Sequence, residues 1–177
     1  MSQERRTLEA TLDRLVTTYA GRDLVLIDVA PQPGGAWLVR FDLDGHRLHL
    51  RVSNAPAEGA SLALKDVVIS DEQRHPGMTN AVGAIGNGLQ QSIPHLRCLY
   101  TALTEGGYDR TPEDASLPYP TEMLVTLEFG APLLDPEDAQ LLAFCELGID
   151  TLFYAFGKLH DELLALGFPC TNPFTLD

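Results

Sequence analysis

The sequence is short of basic residues and of long apolar runs. Its 177 residues include 12 Lys and Arg against 25 Asp and Glu, which gives a formal net charge of −13. Only two of the 12 basic residues are lysines. Such a chain repels nucleic-acid phosphates, so neither DNA nor RNA is expected as a partner. No apolar run approaches the roughly 20 residues that a membrane-spanning helix needs, and the N-terminus lacks a signal-peptide pattern. We therefore predict a cytoplasmic protein that does not bind membranes.

Standard catalytic and metal-binding signatures are also missing. The chain has no G-x-S-x-G and no P-loop, and its three cysteines have no C-x-x-C spacing. These cysteines, predicted to be buried thiols without disulfides, are Cys98, Cys145 and Cys170. His46 and His49 fall on opposite faces of a predicted strand, and His95 with Cys98, three apart on a predicted helix, lacks further ligands. We expect neither metal nor cofactor, and a non-catalytic protein is favoured over an enzyme.

One segment, VGAIGNGLQQSIPHL, carries three glycines within six residues. Their order, G-x-x-G-x-G, is the reverse of the dinucleotide-binding fingerprint. Apolar residues at steps of three and four run from Val82 to Leu103, which predicts a helix that bends or restarts at Pro94. We interpret the glycines as packing positions, with Gly86 closely approached by a strand or another helix. The alternatives are a hinge and a phosphate site.

The clearest local signal is a β-hairpin around Asp44-Gly45. This dipeptide suits a type I′ turn, in which both central residues need positive φ. A two-residue turn pairs Leu43 with His46, and the pairing of the two strands continues as far as Trp37 with Val52. In this register the apolar side chains of both strands lie on one face. The opposite face carries a basic cluster that could bind a carboxylate or phosphate, namely Arg40, Arg47, His49 and Arg51. A solvated face, neutralised by Glu122 and Glu128 of a later strand, is the competing interpretation.

The remaining periodicity predicts one α+β domain spanning residues 1–177. Helices are predicted over 2–19 and from Asp135 onward, with an apolar stripe from Leu142 to Leu166, a C-cap at Gly167 and a possible division at Gly148. Strands are predicted over 23–30, 61–70 and 122–129 in addition to the hairpin. We therefore predict an antiparallel sheet of about five strands, packed against an N-terminal helix, a central bent helix and long C-terminal helices.

Negative charge is concentrated in the second part of the chain. Residues 105–177 hold two basic residues, Arg110 and Lys158, against fourteen acidic ones. Such a field attracts a basic partner. The predicted partner-binding surface comprises Glu105, Asp109, Glu113, Asp114, Asp135, Glu137 and Asp138. Four of these lie in a Pro- and Gly-rich loop over 104–121, which we expect to be mobile and to separate the two halves.

These features favour a protein-binding function. The predicted order of elements and the acidic charge are similar to those of small acidic secretion chaperones, although no motif is shared and no family is assigned. We expect a chaperone, an adaptor or a toxin-neutralising inhibitor whose partner is a basic protein, with a possible homodimer through residues 142–166. The alternative is a small enzyme or anion-binding protein that uses the basic hairpin face.

Overall fold

The computed structural model describes residues 3–53, 59–70, 77–103, 122–133 and 137–171. Along the chain the elements are α1 (Gln3–Thr18), β1 (Val25–Pro31), β2 (Trp37–Leu43), β3 (His46–Val52), β4 (Ala60–Ser70), α2 (Gly77–Ser92), β5 (Leu96–Leu103), β6 (Glu122–Ala131), α3 (Asp138–Ala165) and β7 (Cys170–Thr171). The strands form an antiparallel sheet in the order β1-β2-β3-β4-β6-β5, with β7 beside β4. The predicted α+β class is confirmed.

The β2–β3 hairpin has the predicted register throughout. Leu43 pairs with His46, and the ladder continues to Trp37 opposite Val52. Asp44 and Gly45 have φ values of 49° and 75°, as a type I′ turn requires. A two-residue turn leaves the strands no freedom to slip, so all side chains fall on the expected faces.

The apolar face of this sheet is covered by the helices. Buried residues of β2, β3, β4 and β6 join those of the helices in one core, with Leu8, Leu12 and Leu15 contributed by α1. The helix predicted over 2–19 is thus confirmed as α1. The opposite face of the sheet carries the charged side chains, and no described helix covers it.

The predicted central helix is wrong beyond Ser92. The chain turns at Ile93–His95 and enters strand β5, which pairs with β6 from Leu96 opposite Phe129. Pro94 cannot donate to a helical ladder, and His95 has a φ of 63°. His95 and Cys98 therefore do not share a helix face. With β5 and β7 added to the five expected strands, the described sheet has seven.

α3 is one continuous helix that Gly148 does not divide. A Cβ on Gly148 would lie 3.1 Å from side-chain atoms of both Leu62 and Phe129. Glycine therefore lets the helix lie close to β4 and β6. The helix begins after Glu137, which forms a capping box with Gln140, while Asp135 and its predicted cap lie outside the described residues. Gly167 ends it with a φ of 86°, which confirms the predicted C-cap.

α3 also meets the length and composition of a membrane-spanning helix. Its most apolar 18-residue window has a mean hydropathy of 1.3. Nine of its residues are buried within the core, against the sheet and the other helices. A buried core helix of a soluble protein has the same composition, so the cytoplasmic location stays a prediction.

Candidate functional site

α2 has a solvent-facing side without any charge. None of its 16 residues is acidic or basic. The exposed positions along the helix and at its end are Thr79, Asn80, Ala84, Asn87, Gly88, Gln91 and Ser92. Outer helix surfaces are ordinarily rich in Lys, Glu and Asp, whereas the cores of protein–protein interfaces are depleted of these residues. The exposed side of α2 therefore shares with interface cores the absence of charged side chains.

The other side of α2 packs closely against β5, and two of its glycines make this close packing possible. A Cβ on Gly86 would lie 2.8 Å from the Cys98 sulfur, and one on Gly83 would lie 3.0 Å from the Tyr100 hydroxyl oxygen. The packing interpretation of these glycines is thus confirmed. Gly88 differs, because a Cβ there would meet no atom within 4 Å. It lies instead at the edge of an open groove.

This groove runs between α2 and α3 and has a volume of about 600 Å³. We call it the α2–α3 groove; its lining residues are Ala84, Ile85, Gly88, Leu89, Ser92, Ile93, Tyr154, Lys158 and Glu162. Tyr154 is 59% exposed, and the Lys158 ammonium lies 5.8 Å from the centroid of its ring. Leu147, which is 60% exposed, is two helical turns before Tyr154 and therefore on the same side of α3. Sequence reasoning missed this groove, because the residues of α2 and α3 that form it are more than 60 positions apart.

One acidic side chain of α3, Glu162, lines the groove; other acids lie along the helix, and Glu146 and Asp150 are near Tyr19. Glu146, Asp150, Asp161 and Glu162 are balanced on this helix by Lys158 alone and by no arginine. Within the described residues none of the four is paired with a lysine or arginine; Asp161 lies 3.3 Å from His160. An excess of carboxylates on one helix attracts cationic partners and raises association rates.

Most of the predicted acidic surface lies outside the described residues. This applies to Glu105, Asp109, Glu113, Asp114 and Asp135. Of the other two, Glu137 accepts the backbone N–H of Gln140 in the capping box, and Asp138 lies 3.3 Å from Arg14 of α1. These two carboxylates therefore already serve contacts within the chain.

The basic cluster lies on the outer face of the sheet, as predicted, and two of its arginines are paired. Arg40 donates hydrogen bonds to both carboxylate oxygens of Asp28, with Nε 2.7 Å from Oδ1. This interaction holds the pKa of Asp28 below its ordinary value. Arg47 bonds Asp42 in the same bidentate way, at 2.5 and 3.2 Å. The Nε edge of each of these two guanidinium groups is therefore already occupied by a carboxylate of the chain.

The neutralising acids are not those expected from the sequence. Glu128 does lie on the same sheet face, opposite Ala63, but the cationic group it contacts at 3.6 Å is Arg97 of β5. Asp28 and Asp42 take the role that was expected of Glu122 and Glu128. His49 and Arg51 lie on the predicted face, opposite Ala63 and Ser61 of β4.

The thiols form no disulfide, as predicted. Cys98 and Cys145 are buried and Cys170 is half-buried. Burial raises the pKa of Cys98 and Cys170 to about 11 and that of Cys145 to about 12, so the reactive thiolate is scarce at neutral pH. In the part of the chain that the structure describes, no three His, Cys, Asp or Glu residues converge as metal ligands would. No protein-family model, curated protein or solved structure matches this chain.

Proposed function

We propose that this is a non-catalytic cytoplasmic protein that binds another protein through the α2–α3 groove. The observation that carries the proposal is the uncharged outer side of α2 beside the exposed Tyr154 of α3, which lines the groove. Leu147 is also exposed and lies two helical turns away on the same side of α3. A partner that covers both side chains would gain the free energy of burying their apolar surface, about 1.5–3 kcal/mol for a fully buried leucine.

The partner is expected to be basic. Four acids of α3 have no lysine or arginine partner among the described residues. They belong to a chain whose formal net charge is −13. Charge of this sign accelerates association with a cationic surface and makes the rate fall with ionic strength. A chaperone, an adaptor or an inhibitor that neutralises a basic toxin fits this chemistry. The α2–α3 groove would contact the apolar centre of the partner, and Glu162 would lie at its rim.

Two charge-matched variants test the proposal. Ala84→Arg places a long cation inside the groove, at an exposed position of α2. Thr101→Arg introduces the same charge at an exposed position of β5. We expect Ala84→Arg to weaken binding of the partner by about tenfold or more, because an unpaired charge would be buried in the interface. Thr101→Arg should bind as the wild type does.

The partner is obtained by pull-down from the native cell, identified by mass spectrometry and purified. Its association with each variant is then measured at low and high salt. Equal affinities of the two variants, or an association rate indifferent to salt, would contradict the proposal. If the captured protein is a second copy of this chain, the groove is a dimer interface and the basic-partner proposal fails.

A further inference from the structure

The α2–α3 groove has two charged side chains in its lining, and both belong to α3. Lys158 and Glu162 are four residues apart, about one helical turn and 6 Å along the axis. Tyr154 precedes Lys158 by the same spacing, so the three side chains follow one another along the α3 wall. The α2 wall contains no acidic or basic residue. It therefore offers neither Lys158 nor Glu162 an opposite charge across the groove.

The two charges do not neutralise each other. In the part of the chain that the structure describes, Lys158 and Glu162 form no ion pair. The Lys158 ammonium lies instead 5.8 Å from the centroid of the Tyr154 ring. Pairs four residues apart on a helix are more favourable when the acid precedes the base, and here the base comes first. Both side chains are exposed, so each can meet a partner's charge.

Covering the groove makes these two charges unfavourable unless they are paired. A protein that buries Tyr154 also removes water from Lys158, which lies beside the ring. Taking a charge out of water is costly when no opposite charge replaces the water. A segment that covers the groove therefore needs a carboxylate for Lys158 and a cation for Glu162. A segment with basic residues alone would satisfy Glu162 and oppose Lys158.

We propose that the segment of the partner protein bound in the α2–α3 groove carries an Asp or Glu facing Lys158 and a Lys or Arg facing Glu162, beside an apolar residue that covers Tyr154. The inference rests on the function proposed for the groove and specifies the chemistry of the segment bound there. Lys158 is then a specificity-determining residue, because it disfavours partners that present only cations at this place.

The test begins with random twelve-residue peptides displayed on phage. They are selected on the full-length chain and counter-selected on Ala84→Arg, so that the enriched peptides are those that bind through the groove. We expect these peptides to carry an acidic and a basic residue within one helical turn, next to an aliphatic or aromatic residue. Their affinity should fall by about tenfold or more in Lys158→Glu and in Glu162→Lys, because each reversal brings like charges together.

Two variants on the sheet are matched controls. Lys65→Glu on β4 and Glu122→Lys on β6 change the net charge by the same amounts outside the groove, and they should leave the affinity of the peptides unchanged. Lys158→Glu separates local pairing from net charge. It makes the chain more acidic, so attraction by net charge alone predicts tighter binding of a basic peptide, whereas the proposed pairing predicts weaker binding.

Charge reversal on the peptide completes the test. A selected peptide whose acidic residue is replaced by Lys should regain affinity for Lys158→Glu. Circular dichroism melting checks that Lys158→Glu folds, and Lys158→Met replaces it if it does not. Groove-dependent peptides that bind the Lys158 variant as tightly as the wild type, or that the reversal does not rescue, overturn this inference alone. If no peptide is enriched over Ala84→Arg, the inference and the binding function of the groove fail together.

Discussion

The outer face of the sheet and the outer surface of α2 and α3 meet solvent in opposite ways. On the sheet, charges cancel locally: Arg40 binds Asp28, Arg47 binds Asp42, and Arg97 lies near Glu128. On the helices, α2 has no charge and α3 carries acids without basic partners among the described residues, beside exposed Tyr154 and Leu147. A face whose charges are already paired needs no partner, whereas apolar and acidic groups left unpaired are available for binding.

A substitution at Gly148 is expected to change the stability of the protein most, because Gly148 lies on the side of α3 that packs against the sheet. The Cβ of a valine there would lie 3.1 Å from side-chain atoms of Leu62 and Phe129, and its two methyl groups would need still more room. We expect a loss of about 1–3 kcal/mol in the free energy of unfolding, typical of overpacking. Urea denaturation measures it.

Gly157 is the matched control in the same helix. A Cβ there meets no atom within 4 Å, so Gly157→Ala should stabilise the helix by about 0.5–1 kcal/mol. If both substitutions changed stability alike, the close approach of α3 to the sheet would be wrong. The two sides of α3 would then not differ in how closely they are packed.

Arg40→Met tests the charge cancellation on the sheet face, with a smaller expected effect. Arg40 lowers the pKa of Asp28, first through the hydrogen bond and then through its charge. Its loss should raise that pKa toward the ordinary value of about 3.9. Because the folded-state pKa is the depressed one, the stabilisation by this pair is present above the unfolded pKa. It disappears as the pH falls through the folded value.

Carboxyl NMR titration of Asp28 in both proteins measures this shift. Arg51→Met serves as the control, because Arg51 lies opposite Leu38 and Ser61 rather than beside Asp28, and it should leave the pKa of Asp28 unchanged. An Asp28 pKa that is the same in wild type and Arg40→Met would show that the pair does not form in solution.

The fold could be predicted wherever a local signal determined geometry. Asp44-Gly45 determined the whole hairpin register, because a two-residue type I′ turn fixes which residues face each other. β5 could not be predicted, since Leu96, Tyr100 and Leu103 also satisfy the spacing of a helix face. Only the pairing of this segment with β6 separates the two possibilities.

The carboxylate partner of Arg40 depended on a bulge that the sequence does not reveal. Val25 pairs with Asp42 and Leu26 with Phe41, which would place Asp28 opposite Val39 in a regular ladder. The extra residue at Ile27 shifts the register by one and brings Asp28 opposite Arg40 on the charged face. The neutralisation of this face thus depends on a single inserted residue.

The groove was hidden for a different reason. The apolar stripe of α3 was predicted with Leu142, Phe156 and Leu166 on its core side, but the first two are only partly buried and Leu166 is 59% exposed. Leu147 and Tyr154 fall outside that stripe, and a single exposed apolar residue has no significance by itself. Tyr154 gains significance because it lines the groove together with residues of α2, which is a tertiary relation.

The most direct test of the central claim is site-specific photo-crosslinking in the native cell. A benzophenone amino acid is placed at Ala84 in the α2–α3 groove or at Thr101 on the sheet side, both exposed positions. We predict one dominant adduct, with a basic protein, from Ala84 and none above background from Thr101. A dominant adduct from Thr101 alone, or equal adducts from both positions, would contradict the assignment of the α2–α3 groove as the partner-binding site.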